Sequence, residues 1–200
     1  MTYAELQATV IRYLNRVGFS ELVAEVPFLM EIGQRRIART CDLRAMEVIT
    51  SSTINVITPP TGIFRVKTIT ILGQAFRSEV SGVPYKKVQQ AAGLNGVPTY
   101  YAVVGNGYKY GPTPDSDYSV EIVTYEMLSL LSDSNTTNWI STSAPELLLF
   151  ATLIEAALFL KDDARAGIWE KQYNDIKKEI EESEMKVDKE SGGLAVRRMR

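Results

Sequence analysis

The sequence predicts an α+β fold, in which two N-terminal and two C-terminal helices form a four-helix bundle-like domain and a β-rich segment is inserted between them. Three observations support this prediction. Apolar residues recur at helical spacing at both ends of the chain, β-branched residues with glycine and proline replace them in the middle, and a glycine pair precedes a basic tail. We therefore predict a helical domain of residues 1–45 and 144–190, a β-rich insertion of residues 46–143, and an extended tail of residues 191–200.

The N-terminal helices are predicted from a capping pattern and from apolar spacing. Thr2 and Glu5 stand at the spacing of a capping box, and Gly18 provides a stop for the first helix. Ser20 starts a new helical turn, and Pro27 fits the first turn of a second, long helix, where its missing N–H costs nothing. The apolar sides are formed by Leu6, Val10, Leu14 and Val17 in the first helix and by Phe28, Leu29, Ile32 and Ile37 in the second.

The β-rich insertion is predicted from alternating residues and turn dipeptides. The segment FRVKTITILGQAFRSEV predicts a hairpin that turns at Gly73-Gln74, and Asn106-Gly107 between two aromatic runs predicts another. Pro84 starts one short helix between them, with the sequence PYKKVQQAAGL. The segment YSVEIVTYEM alternates as a strand with one apolar face, which carries Val120, Ile122 and Thr124.

The C-terminal part returns to helical patterns after a polar segment. SDSNTTNWISTSAP predicts a connecting loop that is anchored by one buried aromatic side chain, Trp139. Residues 144–160 are apolar nearly all round, which is typical of a central helix that packs on several sides. Asp162-Asp163 ends this helix and caps the next one, from about residue 164 to 187. The apolar stripe of that helix consists of Ile168, Trp169, Tyr173, Ile176 and Ile180.

The composition makes several function classes improbable. A net charge of -2 and an isoelectric point of about 5.4 argue against a nucleic-acid-binding module, which is usually basic. The chain has no histidine, which removes the usual catalytic triads and most zinc sites. Cys41 is the only cysteine, and we expect a small buried side chain in a reducing, cytosolic context. We expect no signal peptide, since the N-terminus carries Glu5 and no continuous apolar block, and no membrane span, since Glu155 interrupts the most apolar stretch.

Asp115 and Asp117, in the run GPTPDSD, allow two interpretations. An Asp-x-Asp pair could hold a divalent metal for a transfer reaction, since hard cations prefer carboxylate oxygens. The same aspartates, together with Pro112 and Pro114, are also the residues that turns favour, and no second carboxylate motif completes a site. We favour a hairpin corner between two strands, with no metal and no cofactor. A carboxylate-based metal enzyme is the alternative.

Cationic side chains are the other candidates for a functional site. One set lies on the second helix and on the short insertion helix: Arg35, Arg36, Arg39, Lys86 and Lys87. The three arginines could face phosphates, but we favour that they complement the negative end of their helix or pair with acids of a neighbour. For Lys86 and Lys87 we favour a solvated face, with one face of a ring lumen as the alternative. The other set lies in the tail: Arg197, Arg198 and Arg200. Three cations without a neighbouring acid suit an acidic protein groove or a phosphate contact. A nucleic-acid-binding accessory module is a further hypothesis, which the net charge of -2 disfavours.

The order of these features resembles the head-to-tail adaptor, or connector, proteins of tailed bacteriophages, particularly those of short-tailed phages. The resemblance rests on the segment YGPTPDSDYSVEIVTYEMLSLLSDSNTTNWISTSAPELLLFATLIEAALFLKDDARAGIWEKQYNDIKKEI. In it a Pro-x-Pro turn leads into a strand, a loop reaches a tryptophan, and an apolar helix is joined by an acidic corner to an amphipathic helix. The N-terminal half agrees through FLMEIGQRRIARTCDLRAME, which precedes the β-rich segment.

The resemblance implies a non-catalytic structural protein of the virion neck, assembled in the cytoplasm of the host. Adaptors of this kind form a ring, twelvefold in the family, beneath the portal, where they extend the DNA channel and carry tail or nozzle proteins. The implied protein partners are further copies of this chain, the portal protein, and tail, nozzle and tail-fibre proteins. Phage DNA is expected to pass through the ring without specific binding, and no membrane is expected to take part. Another neck or tail component is the alternative.

The resemblance also assigns expected roles to the two cationic sets. The helical bundle would lie against the portal, and the C-terminal segment would reach along it. The expected portal-docking residues are Arg197, Arg198 and Arg200. We accordingly expect contacts with neighbouring subunits or with the DNA channel at Arg35, Arg36, Arg39, Lys86 and Lys87.

Overall fold

The structure is a computed structural model, and it describes residues 1–15, 18–54, 63–73, 78–91, 93–105 and 107–192. These residues form helices and two small sheets, which confirms the predicted α+β class. The chain divides into two compact units. The helical unit contains residues 1–45 and 128–200, and the insertion unit contains residues 46–127.

In chain order, the first two helices belong to the helical unit, the following strands and one short helix belong to the insertion unit, and the last helices belong to the helical unit again. The α-helices are α1 (Tyr3–Leu14), α2 (Ser20–Thr40), α3 (Tyr85–Ala91), α4 (Trp139–Ser143), α5 (Pro145–Phe159) and α6 (Asp163–Gly192). The strands are β1 (Glu47–Thr53), β2 (Ile63–Ile71), β3 (Ser78–Glu79), β4 (Ser81–Gly82), β5 (Tyr100–Val104), β6 (Gly107–Gly111) and β7 (Ser119–Glu126). Helix α3 and the strands lie in the insertion unit, and the other α-helices lie in the helical unit.

Helix α1 begins at the predicted capping box. The Thr2 hydroxyl accepts a hydrogen bond from the Glu5 backbone N–H at 3.3 Å, and the Glu5 carboxylate accepts one from the Thr2 N–H at 2.7 Å. The bond from the Thr2 N–H lowers the pKa of Glu5. The helix ends before Asn15, whose φ of 52° is left-handed. Its buried side includes Leu6, Val10 and Leu14, whereas Val17 lies outside the described residues.

The position of Pro27 in helix α2 differs from the prediction. The proline lies inside this 21-residue helix and not in the first turn of a separate one. An interior proline removes one N–H···O bond and costs about 3 kcal/mol. The buried stripe nevertheless continues across it and contains Leu22, Val26, Leu29 and Met30. Tertiary packing of this stripe offsets the cost, because most helix stability in proteins comes from burying an apolar face. Phe28 was predicted on the apolar side but is 58% exposed.

Helix α5 is the central helix of the helical unit, as its apolar sequence predicts. It contacts α1, α2, α4 and α6. Its buried side chains occupy most of its circumference and include Leu147, Leu148, Leu149, Leu153 and Ile154. The closest approach is at α2, where Gly33 lies against the backbone of Ala151 and Thr152.

Helix α6 begins at the predicted acidic corner. The Asp162 carboxylate accepts a hydrogen bond from the Arg165 N–H at 3.2 Å, which confirms the cap. The helix has 30 residues and buries Trp169 and Tyr173 against the rest of the unit. Ile168 was predicted on the same apolar stripe, but 62% of it is exposed.

The insertion unit contains two sheets. The four-stranded sheet has the order β1-β7-β2-β3, with β7 antiparallel to both β1 and β2. The predicted hairpins are the antiparallel pairs β2–β3 and β5–β6, and their turn residues Gln74 and Asn106 lie outside the described residues. The predicted alternation in β7 is confirmed, since its buried face consists of Val120, Ile122 and Thr124.

The run GPTPDSD is not a hairpin corner, because the strands that it connects belong to different sheets. Strand β6 pairs with β5, whereas β7 pairs with β1 and β2. Within the run, the Asp115 carboxylate accepts a hydrogen bond from the Tyr118 hydroxyl. The prediction was wrong because turn residues specify a local change of chain direction and not the partner of the next strand.

The segment between β7 and α5 packs with the helical unit, although the sequence analysis placed it in the insertion. Gln34 of α2 holds it: the buried side-chain oxygen accepts hydrogen bonds from the Leu131 N–H at 2.9 Å and from the Asn138 amide nitrogen at 3.3 Å. Asn138 in turn caps α4. Trp139 is half-buried and not fully buried as predicted; Ile140 next to it enters the core.

Candidate functional site

Arg36, one of the predicted contact residues on α2, joins two helices of the same unit. Its Nη2 and Nε atoms donate to Oε1 of Glu155 on α5, at 2.6 and 2.8 Å. The two side chains are 27% and 14% exposed, so the pair is partly shielded from water. Charge-assisted hydrogen bonds in such surroundings are stronger than exposed ones. The structure therefore gives Arg36 an acidic partner inside its own chain.

Arg35 and Arg39 lie on exposed parts of the same helix. Arg35 pairs with Glu31 one turn earlier at 2.8 Å, and both side chains are about half exposed. Such a pair contributes only a few tenths of a kcal/mol, roughly 0.3–0.5. Arg39 is exposed, and no ion pair joins it to another described residue. Among these three arginines, Arg39 thus has the charge most available to a partner.

Lys86 and Lys87 lie on α3 in the insertion unit, and both are exposed. The Lys87 ammonium lies 4.2 Å from the centre of the Tyr100 ring on β5, which is within the range of a cation–π interaction. This contact orients Lys87 along the small sheet. The tail cations Arg197, Arg198 and Arg200 lie outside the described residues.

A cleft of about 350 Å³ lies in the insertion unit beside α3, and Tyr110 and Lys109 contribute to its lining. The Tyr110 hydroxyl is buried and has no hydrogen-bond partner among the described residues. Burial, with Tyr108 and Tyr101 nearby, raises the pKa of Tyr110. The three tyrosines form an aromatic cluster, with ring centres 5.9 Å apart for Tyr101–Tyr108 and 6.5 Å apart for Tyr108–Tyr110.

A second cleft, of about 300 Å³, lies in the helical unit between α4 and α6, and we name it the α4–α6 cleft. Trp139 lines it from α4, and Ile180 and Ser183 line it from α6. Its two ionisable lining residues are both acidic, Glu179 and Glu184. The Glu184 carboxylate accepts hydrogen bonds from the backbone N–H of Arg44, both at 3.3 Å, whereas Glu179 is exposed. An indole and a carboxylate in one small cleft suit an arginine side chain.

A comparison with protein families decides the class of this chain. The family model described as "SU10 adaptor protein" matches residues 1–198. The chain belongs to the SU10 adaptor family. It is therefore a phage adaptor protein with a structural role, in agreement with the resemblance stated from the sequence. No curated protein matches the chain at a significant level.

Asp115 and Asp117, the alternative metal ligands of the sequence, both interact with other groups. Asp115 is bonded to Tyr118 within its own loop, and Asp117 also has an interaction partner. In the ranges that the structure describes, no three or more cysteine and carboxylate side chains come together as a metal site. None of the described helices has the length and hydropathy that crossing a bilayer requires.

The sequence did not reveal the two clefts of this adaptor. The α4–α6 cleft brings Trp139 close to Glu179 and Ile180, about forty residues later in the chain. The only signal in the sequence was a tryptophan within a polar segment, which we interpreted as a core anchor. The insertion cleft depends on how α3 packs beside β6, and neither element alone carries a motif for it.

Proposed function

We propose that this SU10 adaptor forms a ring beneath the portal in the virion neck, where it extends the DNA channel and carries tail or nozzle proteins of a short-tailed phage. The observation that carries the proposal is the family match over residues 1–198, which leaves almost no part of the chain for another role. The ring is twelvefold in this proposal. It is assembled in the host cytoplasm and is non-catalytic.

Exposed apolar side chains on the helical unit support the association of subunits. Phe28 on α2 and Ile168 on α6 are 58% and 62% exposed, and Leu158, at the end of α5, is 50% exposed. Single exposed apolar residues are common, but large ones on several helices of one unit favour a partner surface. Each of these side chains is already partly buried, so covering the rest of it in an interface contributes about 0.8–1.5 kcal/mol, half of the value for a fully exposed side chain. We assign these side chains to contacts between neighbouring copies.

The charges of the chain support passage of DNA without tight binding. Each phosphate neutralised by a lysine or arginine adds salt-dependent affinity, which would hold the DNA in the channel. Arg35 and Arg36 are already paired with glutamates of their own chain, and the net charge is -2. We propose Arg39, Lys86 and Lys87 as the cations that contact neighbouring subunits or line the channel.

The helical unit, as a four-helix bundle, faces the portal in this proposal, with the tail reaching along the portal surface. The tail cations Arg197, Arg198 and Arg200 dock on acidic groups of the portal, because a guanidinium binds carboxylates in a bidentate manner. The insertion unit faces neighbouring subunits and the tail, nozzle or tail-fibre proteins.

The test is reconstitution with the portal ring of the same phage. We expect a stable complex in electron microscopy, with a ring of this chain on one end of the portal and twelve subunits in the averaged images. A portal that stays bare at micromolar concentrations of both proteins would refute the adaptor role. A ring of another symmetry would refute only the subunit number.

The role of the tail is tested separately in the full-length chain. Replacing Arg197, Arg198 and Arg200 together by serine should weaken portal binding and leave the circular-dichroism spectrum unchanged, because the substitutions lie outside α6, which ends at Gly192. Lys178→Ser is a control for the loss of one surface cation, since this side chain is exposed on α6 and, among the described residues, pairs with Glu182 one turn away. Equal portal affinities of the triple variant and the control would contradict docking through the tail arginines.

A further inference from the structure

The α4–α6 cleft has a size and a lining that favour a short basic segment. Its volume of about 300 Å³ is at the small end of the range for ligand sites, so it fits a few side chains and not a folded domain. Trp139 offers an aromatic surface, Ile180 an apolar one, and Glu179 an exposed carboxylate. The carboxylate of Glu184 is already engaged by Arg44, so Glu179 is the acid that remains for an incoming cation.

The C-terminal tail of the same chain has the complementary chemistry. Its sequence from residue 194 is LAVRRMR, which contains four apolar residues and three arginines and no acid. Arginine stacks on indole and pairs with carboxylates, while leucine, valine and methionine suit an apolar wall. Nothing else in the sequence combines apolar residues with three arginines inside four positions.

The length of the tail allows it to reach this cleft. Helix α6 ends at Gly192, nine residues beyond Ser183, which is a distance of about 14 Å at 1.5 Å per residue. The eight residues that follow span up to about 26 Å when extended at 3.3 Å each. Two consecutive glycines, Gly192 and Gly193, permit the reversal of direction that a return along the helix requires.

We propose that residues 194–200 dock in the α4–α6 cleft of their own chain, with an arginine on Trp139 and Glu179 and an apolar side chain on Ile180. This inference concerns the free protein and does not depend on portal binding. If the tail also docks on the portal, the two acidic surfaces compete for the same arginines, and the cleft holds the tail until the portal is present.

Cysteine cross-linking in the full-length protein, without portal, tests the proposal. Ser183→Cys places a thiol in the lining of the cleft, and Val196→Cys places one in the tail, four residues past Gly192 and thus able to reach back about 13 Å, to the level of Ser183. The matched control pairs Val196→Cys with Met185→Cys, which is exposed, lies within the same reach two residues further along α6, and does not line the cleft. Cys41 is fully buried, and burial raises the pKa of its thiol, so it stays unreactive in both variants.

We expect the Ser183→Cys pair to form an intramolecular disulfide about tenfold faster than the control pair, which corresponds to about 1.4 kcal/mol of preference for the cleft. Adding Trp139→Ala or Glu179→Gln should remove most of this difference, and 0.5 M salt should reduce it. Equal rates for the two pairs would overturn the proposal. Disulfide-linked dimers whose yield rises with protein concentration would also overturn it, since the tail would then occupy the cleft of a second copy.

Discussion

The contact between α2 and α5 at Gly33 gives the sharpest test of the helical unit. A Cβ atom added at Gly33 would lie 3.0 Å from the backbone nitrogen and from Oγ1 of Thr152, and 3.2 Å from the carbonyl carbon of Ala151. Two of these three atoms belong to the backbone of α5, so they cannot turn away as the end of a flexible side chain can. Gly33→Ala must therefore push the two helices apart or strain one of them.

The expected cost follows from two opposing effects. Overpacking of a close contact costs about 1–3 kcal/mol. Alanine is a better helix former than glycine, so the same substitution also stabilises the helix by about 0.8–1 kcal/mol in a helix interior. Gly167→Ala in α6 isolates the second effect, because a Cβ atom at this exposed position meets nothing within 4 Å. The difference between the two variants is then the steric cost alone, about 1–3 kcal/mol.

Urea unfolding followed by circular dichroism at 222 nm measures this difference. The signal reports mainly on the helical unit, because the α-helix found among the described residues of the insertion unit is the seven-residue α3. We expect Gly167→Ala to raise the unfolding midpoint and Gly33→Ala to lower it, with unchanged slopes. If both substitutions stabilise the protein equally, α2 and α5 do not approach as closely as the structure has them, and the reasoning is refuted.

Three further predictions concern single side chains. A double-mutant cycle with Arg36→Ala and Glu155→Ala should give a coupling of about 1–3 kcal/mol in unfolding experiments, and a value near zero would mean that the partly buried pair is not formed. Tyr110→Phe should leave the stability unchanged or raise it, because the buried Tyr110 hydroxyl has no hydrogen-bond partner among the described residues. Tyr173→Phe should lower the stability by about 1 kcal/mol, because the Tyr173 hydroxyl bonds with that of Thr40 at 2.6 Å. Equal losses of stability for the two variants in thermal unfolding would contradict this. Burial raises the pKa of Cys41, so the folded state holds the thiol proton more tightly than the unfolded state does. The free energy of unfolding should therefore fall as the pH rises above about 8.5, where the thiol of the unfolded chain ionises. Cys41→Ala should reduce this fall in urea titrations at pH 8–10.

Local signals in the sequence predicted most elements of the fold. The capping box at Thr2 and the acidic cap at Asp162 each act within three residues, so their geometry is contained in the sequence itself. The alternation in β7 and the apolar character of α5 likewise indicate directly which side chains are buried. The structure has these features where the sequence placed them.

The errors arise where the answer depends on a distant part of the chain. Pro27 favours a helix break on local grounds, but α2 continues past it because burial of the apolar stripe on both sides of Pro27 stabilises the helix. The GPTPDSD run is rich in turn residues, yet the partner of β7 is set by β1 and β2, up to 78 residues away in the pairing Glu47↔Tyr125. Propensity and turn chemistry describe the local chain, and tertiary pairing overrides them.

The candidate contact residues were identified by type but not by environment. In the sequence Arg35, Arg36 and Arg39 form one cationic set, because arginines within five positions cannot be told apart by type alone. The structure separates them, since Glu155, 119 residues later, pairs with Arg36. Likewise, Lys87 differs from Lys86 by its contact with Tyr100. Charge available to a partner is thus a property of the fold.

The mispredicted apolar residues have a shared physical interpretation. The stripe pattern assigned Phe28 and Ile168 to buried faces, and in the isolated chain both are more than half exposed. A periodic apolar pattern predicts which side chains are stabilised by burial, but it does not predict whether the surface that buries them belongs to the same chain or to a partner. For a phage adaptor, which acts between other proteins, the covering surface lies most simply on a neighbouring subunit or partner. The same pattern that fails as a prediction of the monomer core therefore supports the proposed ring.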